Sequence, residues 1–447
     1  MALPPQGDTV AAIATAPGVG AVGIVRVSGP DAYRVGERLF RPRKGRVTEL
    51  PAGRVVYGHV TDGAELVDES LLLTFRAPHS YTGEDVLELQ THGGPAVLRR
   101  VLGLCVEHGA RLAQPGEFTL RAYLSGRLDL VQAEAVLSLV NAQSDSARRN
   151  AALGLSKALS EQLGLIQTDI TGVYGDVQAM FDYPDEGVPE AEFVAPLKRA
   201  VARIDKLLAT AKAGRIAQHG ARLALVGKPN AGKSSLLNAL LGFGRSLVSH
   251  TPGTTRDYLE APLDILGVPV TAVDTAGLRE TGDAIEASGV ELARNIARNA
   301  DLSLLLLDVS APLEPEDLAL TRDLEPGRLL VVASKSDQPA VWSPADYDIT
   351  ALSVSATTGE GLEALREAVR ERLVGDAGQS ELWLVGERQV GALKTVREHL
   401  LRAQEVPDDL AALDLEDALG TLAELTGRGE IAEETLEHIF KNFCVGK

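Results

Sequence analysis

Over the first 117 positions apolar and polar residues alternate in short runs, "TVAAIATA", "GAVGIVRVSG", "RVVYGHVT", "ESLLLTFR" and "DVLELQTHGG", separated by Gly, Pro and polar turns. A period of two predicts strands, and helical spacing near 31–40 and 95–109 adds two helices, so 1–117 reads as an α+β domain. From Pro115 the period changes. Leu128, Val131, Ala135 and Leu139, then Val201, Ile204, Leu207 and Leu208, recur three or four apart and predict helices over 117–182 and 190–213, with a turn at "DYPDEGVPE". At Ala221 it changes again, to unbroken apolar runs, "RLALVG", "VTAVDT", "LSLLLLDVS", "RLLVVAS" and "ALSVSA", alternating with helical segments. Such runs are expected of strands buried on both faces in a mostly parallel sheet. After "DAGQ" the pattern to residue 443 is helical once more. The expected fold class is therefore multidomain: an α+β N-terminal domain (1–117), an α-helical domain in two parts (118–219 and 377–447), and an inserted α/β domain (220–376) with a mostly parallel sheet. An insertion of this kind lets the C-terminal tail lie close to the N-terminal domain.

Length agrees, since 447 residues suggest about three domains. No uncharged apolar run reaches eighteen residues and the N-terminus lacks the order of a signal peptide, so a cytoplasmic protein with no membrane partner is expected. Two cysteines cannot build a disulfide framework, and Cys105, inside "VLGLCV", reads as a small core residue. The chain ends "NFCVGK", where Cys444 stands four from the end as in a prenylation box, but Gly446 and Lys447 break that pattern and no basic run precedes it. A formal net charge of −18 weighs against broad nonspecific nucleic-acid binding. The Arg-rich stretches "RPRKGR" (41–46) and "ARRN" (147–150) read, each taken alone, as solvated surface.

The clearest chemistry is "GKPNAGKSS", a G-x-x-x-x-G-K-[ST] motif at Gly227, Gly232, Lys233 and Ser234 that follows an apolar strand and opens a helix. Backbone N–H groups of such a loop wrap phosphates, Lys233 supplies a point charge, and Ser234, followed by Ser235, offers a hydroxyl to Mg²⁺. "DTAG" ends a strand and puts Asp274 near the metal and the Gly277 amide near a γ-phosphate, while "GTTRD" supplies Thr255 as a second Mg²⁺ group. "SKSD" resembles the guanine-reading NKxD motif, with Lys335 and Asp337 in place and Ser334 where Asn is usual, which leaves a contact to the guanine edge or to the phosphate loop in doubt. "SVSA" is its companion loop, with Ser355 and the Ala356 amide behind the base. GTP is the expected nucleotide. Leu278 follows "DTAG" where Ras-like enzymes carry a water-orienting glutamine, so another device is needed. Asn230 and the "SHTPGTT" loop could supply one by holding a monovalent cation; Asn230 could equally be a loop-stabilising amide.

With these motifs in hand, the chain resembles the MnmE (TrmE) family of tRNA-modification GTPases along essentially its whole length. "GVGAVGIVRVSGP", "SYTGEDVLELQTHGG", "QPGEFTLRAYLSGRLDLVQAEAV", "DTAGLRETGDAIEASGVE" and the terminal "FCVGK" carry the resemblance. It implies a homodimer and a GTPase activated by K⁺. It also implies a FAD-dependent partner, MnmG, and an aminomethyl or carboxymethylaminomethyl group placed on C5 of wobble uridine 34 of certain tRNAs. The one-carbon unit would come from a tetrahydrofolate derivative (5,10-methylene- or 5-formyl-). By position, the resemblance puts folate contacts on Arg26, Glu88, Arg127 and Lys447, the family's usual Lys being Arg at 127. K⁺ contacts fall on Asn230, Ser249, Thr251 and Thr254, and a catalytic glutamate on Glu286, with Asn230 and Lys233 beside it. Read as bare residues, Arg26 and Glu88 are solvated-face charges and Glu286 a first-turn helix acid. The tail would return to the folate pocket, with Cys444 either a soft nucleophile beside one-carbon chemistry or a buried anchor next to Phe443. A ribosome-assembly GTPase acting as a binding switch shares the nucleotide motifs, but leaves residues 1–117 and the tail unexplained.

Overall fold

The computed structural model describes residues 7–142, 144–182, 191–243, 259–274, 294–314, 317–318, 325–375, 382–406 and 408–447. The chain divides into two compact units, one of residues 1–137, 154–182 and 406–447, the other of 138–153 and 183–405.

The first unit is built on a seven-stranded sheet of β1 (Val10–Ile13), β2 (Gly20–Ser28), β3 (Phe40–Pro42), β4 (Arg54–Asp62), β5 (Glu65–Phe75), β6 (Val86–Gly93) and β7 (Arg111–Leu112), in the order β3-β4-β5-β6-β2-β1-β7. All pairs are antiparallel except β1 with β7. Alternation sorts the side chains: Val25, Val27, Leu87 and Leu89 are fully buried in one core with residues of α1 (Ala32–Leu39) and α2 (Pro95–Glu107). Arg26 and Glu88, paired in register between β2 and β6, therefore point from the opposite face. Cys105 lies in that core, fully buried, as its apolar run predicts. Beyond the sheet, α3 (Glu117–Leu124) and the start of α4 (Leu130–Asn141) pack with the C-terminal helix Glu433–Phe440 through Leu120, Leu130, Val136, Leu436, Ile439, Phe440 and Phe443. Each such side chain contributes about 2–3 kcal/mol when fully buried, which is what holds the chain's end against its beginning. α6 (Ala158–Asp182) packs against the helix Asp408–Thr426.

In the second unit β8 (Ala221–Val226), β9 (Leu259–Ile265), β10 (Val268–Asp274), β11 (Leu302–Asp308), β12 (Leu329–Ser334) and β13 (Ala351–Val354) form a sheet in the order β13-β12-β11-β8-β10-β9. It is parallel apart from β9, an antiparallel edge. Pattern reading did not single out β9, because "LEAPLDI" holds two acids and Pro262; an edge tolerates both. Apolar cores cover both sheet faces, one including residues of α8 (Ala211–His219), α9 (Lys233–Phe243) and the helix Leu362–Val374. α7 (Ala191–Leu208) pairs with the helix Glu387–Ala403. The "ARRN" stretch lies in α5 (Asp145–Leu155): Arg148 and Arg149 are exposed and share Asp145. Its last residue is different, since buried Asn150 accepts from the Trp383 N–H at 2.7 Å and donates to the Trp383 carbonyl at 3.2 Å. The helical sequence on either side of the inserted sheet is thus shared between the two units.

Candidate functional site

In the first unit Arg26 Nε donates to Glu88 Oε1 at 2.8 Å, and both side chains are largely shielded. The guanidinium lies 5.5 Å from the ring centres of Tyr81 and Phe118, and its Nη1 reaches the Gly446 carbonyl at 3.4 Å. The last residues fold into this corner. Val445 bridges to Pro115, the Phe118 N–H donates to the Lys447 carbonyl at 3.1 Å, and the Gly116 N–H to that of Cys444 at 3.4 Å. These carbonyls do at α3 what a side-chain cap does elsewhere, for Gly116 at its N-cap carries no side-chain hydrogen bond.

The start of α3 is held by an ion network. Fully buried Glu117 accepts from Arg111 (2.7 and 3.0 Å), from Arg121 (2.9 Å) and from the Gln114 N–H (2.8 Å), and Arg121 also reaches Asp8 and Glu84. Burial acts to raise the Glu117 carboxyl, but Arg111, the Gln114 amide and Arg121 outweigh it and hold it below the usual range. Tyr81 sits against Thr119 at 2.9 Å; burial pushes its phenol up, offset in part by Thr119 and the charges of Arg26 and Arg127. Arg127 itself is exposed in the turn after α3, and Lys447 is half-buried. Cys444 is exposed, which does not match a buried anchor; the anchor is Phe443, whose ring centre lies 5.4 Å from that of Phe440.

The second site lies at the carboxyl ends of the parallel strands of the other unit, where open α/β sheets bind ligands. Gly227 (φ +143), Asn230 (φ +63) and Gly232 (φ +95) turn the phosphate loop, and a Cβ on Gly227 would stand 2.5 Å from the Leu306 carbonyl, so the close approach to β11 requires glycine. Lys233 is buried, its Nζ donating to the carbonyls of Gly227 and Lys228 at 2.8 Å each, inside the curl that phosphates would fill. Ser235, Asp337, Lys335 and Ala356 line one pocket with Gly232. Asp337 Oδ1 accepts from Ser355 Oγ at 2.6 Å, and Ser355 Oγ accepts from the Thr358 N–H at 3.1 Å. The Ser355 hydrogen bond holds the Asp337 carboxyl below its usual range, so it stays an acceptor for ring N–H donors. Lys335 Nζ pairs with Asp308 at 2.6 Å; burial acts to raise Asp308, and Lys335 with Ser310 brings it below the ordinary value.

The structure thus brings Asn230, Gly232, Lys233, Ser234 and Ser235 together on one loop and helix, with Lys335, Asp337, Ser355 and Ala356 opposite. Asp274 is the last residue of β10. Ser249, Thr251, Thr254, Thr255, Gly277, Leu278 and Glu286 lie outside the described residues, as does the "DYPDEGVPE" turn after its first residue. Motif reading passed over two things, the neighbours of Arg26 and of Lys228, and left a third, the contact of Ser334, open. Tyr81 and Phe118 flank Arg26, though only the fold brings them there. Lys228 is clasped by Glu314 at 2.5 Å and Asp317 at 2.9 Å, which raises its pKa, and its place inside the motif was the available signal. Ser334 turns its hydroxyl to the phosphate loop, at 2.8 Å from the Ala231 carbonyl.

Known proteins match the chain along nearly its whole length. A family model described as the GTP-binding protein TrmE N-terminus matches residues 9–127, and one described as the MnmE helical domain matches 130–444. A tRNA modification GTPase MnmE of Thermus thermophilus is 51% identical over 98% of this chain and 99% of its own length. Another, of Chloroflexus aurantiacus, is 42% identical over 99% of this chain and 100% of its own. Among solved structures, the G domain of the T. maritima FeoB iron transporter is 27% identical, covering 34% of this chain and 98% of that one at a TM-score of 0.26.

Proposed function

The chain belongs to the family of tRNA modification GTPases named MnmE, and from that premise we propose that it hydrolyses GTP in order to modify C5 of wobble uridine 34 in certain tRNAs. In this reading it acts in the cytoplasm as a homodimer, with the FAD-dependent MnmG as partner and a tetrahydrofolate derivative as one-carbon source. Among the described residues no helix is long and apolar enough to cross a membrane.

The described groups have tasks that their surroundings support, and the remaining assignments follow the family resemblance. Lys233, its ammonium now donating to two loop carbonyls inside the curl, would turn that positive charge to the phosphates. Asp337, kept ionised by Ser355, would accept from guanine N1–H and N2–H, with the Ala356 amide toward O6. Ser234 and Thr255 would hold Mg²⁺, and Asn230 with the carbonyls of Ser249, Thr251 and Thr254 would hold K⁺. When bound, the two cations would offset negative charge on the phosphates. Glu286 would orient the attacking water indirectly, the task left open at Leu278. In the first unit the groups suit a reduced folate: the Glu88 carboxylate, steadied by Arg26, can accept from an aminopyrimidine edge, Tyr81 offers an aromatic face, Lys447 would bring an ammonium near the pterin or its glutamyl carboxylate, and Arg127 adds positive charge.

The observation that carries the proposal is the docking of the terminal residues against Arg26 and α3, which a ribosome-assembly GTPase would not need. The test is nucleoside mass spectrometry of tRNA from cells lacking this gene, with and without its return. Loss and recovery of C5-substituted wobble uridines is expected; unchanged nucleosides would overturn the reading and direct attention to ribosome profiles. GTP hydrolysis much faster in KCl than in NaCl of equal ionic strength is expected from the cation ligands, and equal rates would remove them.

A further inference from the structure

The base pocket departs from the usual guanine-reading pattern at Ser334, the last residue of β12, which is 6% exposed and lines the same pocket as Asp337. Its Oγ lies 2.8 Å from the Ala231 carbonyl in the phosphate loop and 3.1 Å from the Leu307 carbonyl on β11. Both neighbours only accept, and a hydroxyl has a single proton. That proton is committed to the backbone. The carboxamide usual at this position has two N–H protons, enough for the loop and for one further acceptor.

Guanine seated with N1–H and N2–H on Asp337 turns its N7, an acceptor, to the far side of O6. Of the other long donors in the pocket, Lys335 is paired with Asp308, and the Gln338 amide donates to Asp337 Oδ2 at 3.3 Å. We propose that Ser334 is a positioning residue that ties the phosphate loop to β12 and leaves guanine N7 unread, so that base choice rests on the Watson–Crick edge through Asp337. This rests on the GTP reading above.

The experiment measures binding of GDP, 7-deaza-GDP, IDP and ADP to the full chain by calorimetry. With the native residue, 7-deaza-GDP is expected to bind within about twofold of GDP. IDP, which lacks the 2-amino group, should be weaker by about tenfold or more, as befits a hydrogen bond to a charged acceptor. Ser334→Ala should weaken GDP and 7-deaza-GDP by one common factor of about two to ten, because the loop loses its tie while the base contacts stay. Ser334→Asn should open a gap between the two nucleotides of similar size. A native chain that binds 7-deaza-GDP more than about fivefold more weakly than GDP, or a Ser334→Ala chain with unchanged affinities, overturns the proposal. ADP binding as tightly as GDP would instead strike the guanine reading, and the proposal with it.

Discussion

Gly446→Ala is the sharpest probe of the docked tail. Gly446 is buried at φ +100, a region costly for any residue with a Cβ, and a Cβ built there stands 2.3 Å from the Ile13 carbonyl oxygen and 3.0 Å from Ala14 Cα. The obstacle is backbone, so no rotamer change relieves it. The variant can strain the corner or release the tail, and it will take the less costly course. Release loses the bond from Phe118 N–H to Lys447 (3.1 Å) and the longer ones from Gly116 N–H to Cys444 and from Arg26 to Gly446, both 3.4 Å. At about 1 kcal/mol for a good bond and less for long ones, the ceiling is about 2–3 kcal/mol. That is a shift of roughly 30- to 150-fold in local opening. Amide hydrogen exchange read by mass spectrometry over residues 114–120 should show it, with Gly116 and Phe118 deprotected by up to that factor while β2 and β6 keep their protection. Reduced-folate binding should fall in parallel. Undiminished protection at Phe118 would refute the argument, since it would mean that the tail does not cap α3.

Three further outcomes are expected. Ser355→Ala removes the donor that holds Asp337, so GDP affinity should fall by about tenfold in a calorimetric titration, and a loss under twofold would mean that Asp337 needs no such support. His92 offers Nδ1 to Asp68 at 2.7 Å while its own N–H donates to Asp68 at 2.8 Å, and the Asp68 hydrogen bond raises its pKa. The pair's contribution to stability is therefore fully present below about pH 6.5, the unfolded value, and is lost as pH rises through the higher folded one. An NMR titration should place the midpoint above that of an Asp68→Asn chain; coincident midpoints would contradict the pairing. Cys105, with its thiol pushed up to about 12 by burial, should resist iodoacetamide at pH 8 in the folded chain while exposed Cys444 is alkylated. Labelling of Cys105 faster than unfolding would be incompatible with the core described.

Much of the second unit was legible from local signals. Buried parallel strands announce themselves as unbroken apolar runs, and the phosphate loop needs its residues at fixed spacing within one strand–turn–helix, so both survive without knowledge of the fold. β9 did not, because an edge strand takes its stability from one partner and tolerates Pro262 and acids. The Arg-rich "ARRN" stretch was legible only in part: its arginines are surface, while Asn150 binds a backbone 233 positions away.

The amino-acid sequence by itself determined the alternation that turns Arg26 and Glu88 out of their strands, the loop that curls around Lys233, and the change of period that marks an inserted sheet. All of these follow from contacts a few residues apart. Only the tertiary structure decided that the last four residues close the N-terminus of α3, that Tyr81 and Phe118 flank Arg26, and that the single proton of Ser334 goes to the phosphate loop. Such pairings join segments up to 420 positions apart, and they are set by which apolar faces bury one another, a choice that no local spacing encodes.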